Sequence, residues 1–222
     1  MIIRGINPVP HANTTDITAG IAKELCAFRC IKYLDDTQLS DALSSGSVKS
    51  AAVIACSDMG SSVPYVCSSP DVPLFLFQNF GHEFATGGLL ETVIAHRVET
   101  LVVYGHSGCE YTKFLAKSAG DKQKNDFQSD ERESQLGLYS AAFDSNSEAL
   151  WEEVGRYKVL LELKRMLADS VIGELAAQER ISLHGWFYKS ARKQLEVFDP
   201  RQEAFHAVSI SEPLKIETEC TF

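Results

Sequence analysis

No apolar run in the 222-residue chain approaches the ~18 residues that a membrane-crossing helix needs, so no transmembrane segment is expected. The first residues, Met1-Ile2-Ile3-Arg4-Gly5-Ile6, lack a sustained apolar core before a small-residue cleavage site, which argues against a signal peptide and makes the cytoplasm the expected compartment. Excess positive charge is also missing. Twenty-one Lys and Arg stand against thirty Asp and Glu, a formal charge of −9 that argues against nucleic acid or an anionic membrane as partner. There is no Cys-x-x-Cys, and Cys26-x-x-x-Cys30 precedes no suitable strand, so a thiol redox protein is poorly supported. Six cysteines do not call for disulfides here, because a chain of this length with 45% hydrophobic residues can close a core without them. No internal repeat is visible.

What is present is a pair of apolar bursts with the same grammar. Leu101-Val102-Val103-Tyr104-Gly105 runs into His106-Ser107-Gly108-Cys109, and Ala51-Ala52-Val53-Ile54-Ala55 runs into Cys56-Ser57-Asp58. Such bursts read as buried parallel strands, and the turns beyond them are where open α/β sheets place ligands. Neighbouring parallel strands would bring Cys56, Asp58, His106 and Cys109 to one end of the sheet. Two thiolates, an imidazole and one further position suit Zn²⁺.

The rest of the chain supports an alternation of strands and helices. Residues 1–13, with two prolines, read as an irregular arm, and the pattern Ile17, Ile21, Leu25, Phe28, Ile31 predicts a helix from an Asn13–Asp16 cap to about Leu34. Asp35–Ser50 is a polar connector. Pro73–Gln78 reads as a strand; Thr86–Glu99 as a helix with Leu90, Val93, Ile94 and Val98 on one face; Thr100–Gly105 as a strand; Cys109–Ser118 as a helix start. Ala119–Ser134 is a solvated loop by composition. Ser147–Asp169 is a long helical pattern with Leu150, Val154, Tyr157 and Leu161 on one face and Glu or Lys on the other, and Val171–Gln178 is a shorter helix. Ile181–Tyr188 and Leu195–Phe198 read as strands, with a turn at Asp199-Pro200. The expected fold is α/β: one domain with a mostly parallel central sheet flanked by helices on both faces, residues 1–50 forming an arm and helix and 51–222 the zinc-binding part.

Cys56-Ser57-Asp58 followed by Gly105-His106-Ser107-Gly108-Cys109 resembles the zinc signature of the β-class carbonic anhydrases. Gln78-Asn79-Phe80-Gly81 is similar to that family's Arg-Asn-Ala-Gly turn, Leu90-Glu91 to the Leu-Glu of its next helix, and Leu183-His184-Gly185-Trp186-Phe187-Tyr188 to its late His-Gly-Trp strand. The resemblance spans roughly residues 50 to 200. It implies one zinc per chain held by Cys56, His106 and Cys109, with Asp58 either the acid/base beside the metal or its fourth ligand. It also implies a homodimer or higher homo-oligomer, its N-terminal helix packed across the partner, and CO₂ and bicarbonate as the small-molecule substrates of a lyase. With water in the fourth position, zinc lowers that water's pKa towards 7 and makes hydroxide available; with Asp58 there, the metal is closed.

This sequence departs from the family pattern around the metal. The family's run is Cys-x-Asp-x-Arg, whose arginine holds the aspartate off the metal; here that position is Gly60. The glycine that follows the family's second cysteine is Glu110, and the arginine of its Asn-Ala-Gly turn is Gln78. Lys113 and Arg97 are the nearest cations in sequence that could replace the missing arginine. The alternatives are a slow or pH-gated CO₂ hydratase, hydrolysis of a related molecule such as COS or CS₂ on the same metal, or a zinc-stabilised binding protein without turnover. Gln78, Gly81, His82 and Glu110 are expected around the pocket; His82 is either a proton relay at its mouth or an ordinary surface histidine. Tyr111 either lines the pocket or belongs to the core. His96 and His184 read as packing or hydrogen-bonding residues. Ser57 and Ser107 read as hydrogen-bonding neighbours of the metal ligands rather than nucleophiles.

Overall fold

The computed structural model describes residues 14–33, 50–59, 74–81, 84, 87–114 and 147–208. A six-stranded sheet carries the molecule: β1 (Ala51–Cys56), β2 (Leu74–Asn79), β3 (Thr100–His106), β4 (Ser182–Lys189), β5 (Gln194–Asp199) and β6 (Ala204–Val208), in the spatial order β2-β1-β3-β4-β5-β6. The first four strands in that order are parallel, and β5 and β6 add antiparallel. The mostly parallel sheet flanked by helices is therefore present. β1 and β3 are neighbours, Ala51 beside Thr100 through Ala55 beside Tyr104, so both end at the same edge of the sheet.

The four described helices are α1 (Thr14–Leu25), α2 (Gly87–Ala95), α3 (Glu148–Ala168) and α4 (Ser170–Ala177). All four contribute to one apolar cluster with Ile54, Leu101, Val103, Leu183 and Phe198 of the sheet. Full burial of each such aliphatic side chain contributes about 2 kcal/mol. The opposite face gathers Val53, Val102, Tyr104, Trp186, Leu195 and Val197 into a second cluster, to which none of these helices contributes. No described helix is long and apolar enough to cross a membrane.

Several boundaries differ from the sequence reading. α1 stops at Leu25 rather than near Leu34, because the chain turns and pairs with β4: the Lys32 N–H donates to the Leu183 carbonyl and the Leu183 N–H to the Cys30 carbonyl. Ile31 is buried in that bridge, whereas Phe28 is exposed. α2 ends at Ala95, since Arg97 adopts φ 50° and turns the chain into β3; Leu89 and Val93 form its buried face and Ile94 is exposed. β6 was not anticipated, its short Ala-Phe-His-Ala-Val run having no strong turn signal behind it. The connector before β1 and the loop at 119–134 lie outside the described residues, Ser50 excepted.

The largest correction concerns α3. Its span is as expected, but its charged side is not solvated. Glu152, Lys158 and Glu162 are buried, and each has an ionic partner that makes burial tolerable. Asp169 separates α3 from α4 by leaving helical geometry (φ −69°, ψ 137°), and its carboxylate accepts the Val171 and Ile172 N–H groups at 2.9 and 3.0 Å, capping α4. The four described cysteines, 26, 30, 56 and 109, are free thiols.

Candidate metal centre

Cys56 is the last residue of β1 and His106 the last of β3; Asp58 sits in the single 3₁₀ turn Ser57–Met59 that leaves β1. Beyond His106 the chain must reverse within two residues to present a second thiol. Gly108 makes that possible with φ 76°, and Cys109 then precedes a helical turn at residues 110–114. The turn is tied down from β4: the Ser107 N–H donates to the Tyr188 carbonyl at 2.8 Å, and the Ser190 N–H donates to Ser107 Oγ at 2.8 Å.

The four donor atoms converge. Cys56 Sγ and Cys109 Sγ are 3.7 Å apart, and one donor atom from each of Cys56, Asp58, His106 and Cys109 lies within 4.8 Å of all the others. Cys56, His106 and Cys109 are buried, and the Asp58 side chain is 21% exposed, so the cluster opens to solvent on the carboxylate side. His106 Nδ1 is 2.9 Å from the Ser107 carbonyl, which fixes the proton on Nδ1 and turns Nε2 towards the cluster. Nε2 lies 2.6 Å from Asp58 Oδ1, and Asp58 Oδ2 accepts the Glu110 N–H at 2.9 Å.

Charge within the cluster is mutually supporting. Burial pushes the Asp58 carboxyl up, but hydrogen bonds from the Cys56 thiol and the Glu110 N–H, with the charge of His106, outweigh it and hold the carboxyl below its usual range. Burial likewise opposes protonation of His106, and the Cys109 sulfur and the Asp58 carboxylate overcome it, raising the imidazole. The thiols share a proton unequally. Donation from Cys56 lowers Cys109, and the same contact raises Cys56. A low-pKa thiolate, a carboxylate and a correctly oriented imidazole are groups that a metal cation can replace protons on.

Residues 51–195 match the family model described as carbonic anhydrase. The chain belongs to the β-carbonic anhydrase family. No curated protein matches its sequence. Among solved structures it is similar to the β-carbonic anhydrase CcaA, at 20% identity and a TM-score of 0.52 over 73% of this chain and 86% of that one. It is also similar to the wild-type β-carbonic anhydrase CafD of the filamentous fungus Aspergillus fumigatus, at 17% identity and a TM-score of 0.51 over 76% of this chain and all of that one. At such identities these likenesses speak for the fold.

For this β-carbonic anhydrase family member, the four residues expected at the metal are the four that the fold brings together. Gly81 is also at the site. Its N–H donates to Cys56 Sγ at 3.2 Å, its φ is 87°, and a Cβ placed there would sit 1.9 Å from the Tyr111 ring, so neither the backbone nor the space admits a side chain. Tyr111 thus forms the wall behind Gly81, with Phe80 edge-on at 4.8 Å between ring centroids. Glu110 contributes its backbone N–H to Asp58, while its carboxylate faces Lys113 Nζ at 2.6 Å. Gln78 is the exposed penultimate residue of β2, two positions before Phe80. His82 and Gly60 lie outside the described residues.

Neither cation considered as a replacement for the arginine contacts Asp58. Lys113 is engaged by Glu110, and Arg97 lines a cavity of about 720 Å³ with Thr100 and Ser182, at the opposite ends of β3 and β4. The backbone amide of Glu110 and the ring of His106 hold Asp58 instead. Sequence reasoning had no means of finding that amide, since any residue type supplies one. Buried His184 packs as expected, with Nε2 3.3 Å from Ser182 Oγ, and burial lowers its pKa to about 4. His96 lies against the Phe75 ring at 4.5 Å.

Proposed function

We propose that the chain is a zinc-dependent carbonic anhydrase that interconverts CO₂ and bicarbonate, with Asp58 controlling access to the metal. The supporting observation is the donor set. A tetrahedral ion with Zn–S bonds near 2.3 Å needs its two sulfurs about 3.8 Å apart, and Cys56 and Cys109 stand at 3.7 Å before any adjustment. His106 Nε2 faces the same point, with its tautomer set by the Ser107 carbonyl. Zinc held there would lower the pKa of water at its open position and so supply hydroxide near neutral pH.

The protein's own part is to hold, orient and gate. Cys56, His106 and Cys109 supply three donors carrying two negative charges, which leaves the site nearly neutral and fit for an uncharged substrate. The Gly81 N–H withdraws charge from the Cys56 sulfur, making the metal a better electrophile. Asp58 is the group that can accept a proton beside the metal. With His106 Nε2 serving a metal, its contact with Asp58 would be released; Asp58 would keep the Glu110 amide and have its other oxygen free for solvent or for the metal. The first arrangement leaves an open site; the second closes it. Gly60 stands where the family has arginine, and among the described residues no guanidinium reaches Asp58, which supports a slow hydratase. A closed, non-catalytic zinc site is the reading that the proximity of Asp58 favours next. Phe80, next to Gly81, and Phe114, at the end of the helical turn after Cys109, are 53% and 57% accessible and support a homo-oligomer that covers them.

Stopped-flow CO₂ hydration by zinc-loaded protein, scanned from neutral to alkaline pH with Cys109→Ala as control, tests the proposal. The expected result is a rate that rises with pH and vanishes in the variant. A rate equal to the control, with one zinc bound per chain, rejects CO₂ as substrate and leaves the closed site or a related substrate such as COS or CS₂.

A further inference from the structure

A buried ion pair on α3 lies directly behind the walls of the metal centre. The Lys158 and Glu162 side chains are 2% and 0% exposed, one helical turn apart, with Nζ 2.9 Å from Oε1. Each partner also reaches a different segment of the site. Lys158 Nζ lies 5.3 Å from the centroid of the Tyr111 ring, within range of a cation–π attraction. Glu162 Oε2 accepts the Phe84 N–H at 2.8 Å, and Oε1 also accepts from Arg165 Nη1 at 2.7 Å. Tyr111 follows the ligand Cys109 by two residues; Phe84 follows Gly81 by three. Between them lies Gly81, where a Cβ would fall 1.9 Å from the Tyr111 ring and whose amide donates to Cys56.

We propose that the Lys158–Glu162 pair is a positioning clamp for the metal centre, fixing through Tyr111 and Phe84 the Gly81 amide that donates to the Cys56 sulfur. Packing alone would be served as well by two apolar side chains of this volume, for which burial is easier. An apolar pair would leave the Phe84 amide without its acceptor and the Tyr111 ring without its cation. The pair does what packing cannot: it holds from one rigid helix the Tyr111 ring that lies against Gly81 and the Phe84 amide three residues beyond it. Because an N–H donated to a thiolate lowers its electron donation to a metal, the clamp tunes the ion as well as the shape of the pocket. Lys158 and Glu162 are positioning residues, since neither touches the donor atoms.

The inference rests on the metal-binding reading, and cobalt(II) substitution tests both separately. The probe is the thiolate-to-cobalt charge-transfer absorption of wild type, Lys158→Met, Glu162→Gln and Glu196→Gln, each titrated with Co²⁺. Glu196 of β5 is buried and pairs with Arg156 of α3 at 2.9 Å, and is the control for general loosening. The expected result is a band at longer wavelength and roughly tenfold weaker Co²⁺ binding in Lys158→Met and Glu162→Gln, with Glu196→Gln unchanged. Should Glu162→Gln fail to fold, Lys158→Met carries the test, because Glu162 there keeps both Arg165 and Phe84. Coincident bands in all four proteins, or an equal shift in the control, overturn the clamp while leaving the metal site standing. Wild type that takes up no cobalt overturns the metal reading and the clamp with it.

Discussion

Asp58 and Glu162 are two carboxylates held in opposite ways. Glu162 is fully buried and receives three donors, two of them cationic: Lys158, Arg165 and the Phe84 amide. Asp58 is partly open to solvent and receives a backbone amide, an imidazole and the neutral Cys56 thiol. A carboxylate saturated by cations has nowhere better to go and acts as a fixed part of the frame. One held by an amide and a ring that a metal can claim keeps a second option. In this protein the rigid carboxylate stands behind the site and the adjustable one at its mouth, so immobility and chemistry are assigned to different residues of the same type.

The widest separation between them should appear in stability. Glu162→Leu strands the buried Lys158 ammonium and is expected to cost about 3–5 kcal/mol, read from urea unfolding of the metal-free protein. Asp58→Ala in the same assay should cost no more than about 1 kcal/mol, because its place at the solvent edge lets water replace it. Equal losses would end the distinction. His184 sharpens it from a third direction, being buried with no charge at all. Its pKa is lowered from 6.5 to about 4, so the folded state refuses a proton that the unfolded chain accepts, and stability present above pH 6.5 drains away as pH falls towards 4. Between pH 7 and pH 5 the expected loss is about 2 kcal/mol, and a His184→Gln variant should show a flatter profile over that interval. The smallest effect turns the adjustable carboxylate into a fixed one. Gly60→Arg restores the family's guanidinium and should raise CO₂ hydration near neutral pH about tenfold, the equivalent of one charge-assisted hydrogen bond. A variant no faster than wild type would show that the Glu110 amide already holds Asp58 clear of the metal.

The legible parts of the chain were those where chemistry and periodicity coincide. β1 and β3 announce themselves as branched apolar bursts, and the ligands stand at their ends, so strand direction alone brings Cys56 to His106. α3 shows the limit of the same reasoning. Glu and Lys at helical spacing normally mark a wet face, and nothing local distinguishes Lys158–Glu162 from a surface pair; only the tertiary contacts to Phe84 and Tyr111 do. The group that holds Asp58 in place of the arginine is hidden in the sequence for a related reason: it is a main-chain amide, that of Glu110, positioned by the Gly108 turn.

The spacing of the metal donors has a consequence for how the molecule is made. Cys56 ends β1 and Cys109, 53 residues later, lies in the turn just beyond β3, so the two thiols meet only when β1 and β3 are aligned. A slip of one residue would send every side chain of β1, the Cys56 thiol included, to the other face. An ion bridging the two cysteines and His106 would therefore reward one alignment out of many, favouring the finished sheet by mass action over any chain still sampling its partners. Metal occupancy would then be an inspection mark on the fold, carried only by copies whose central strands were assembled in the right order.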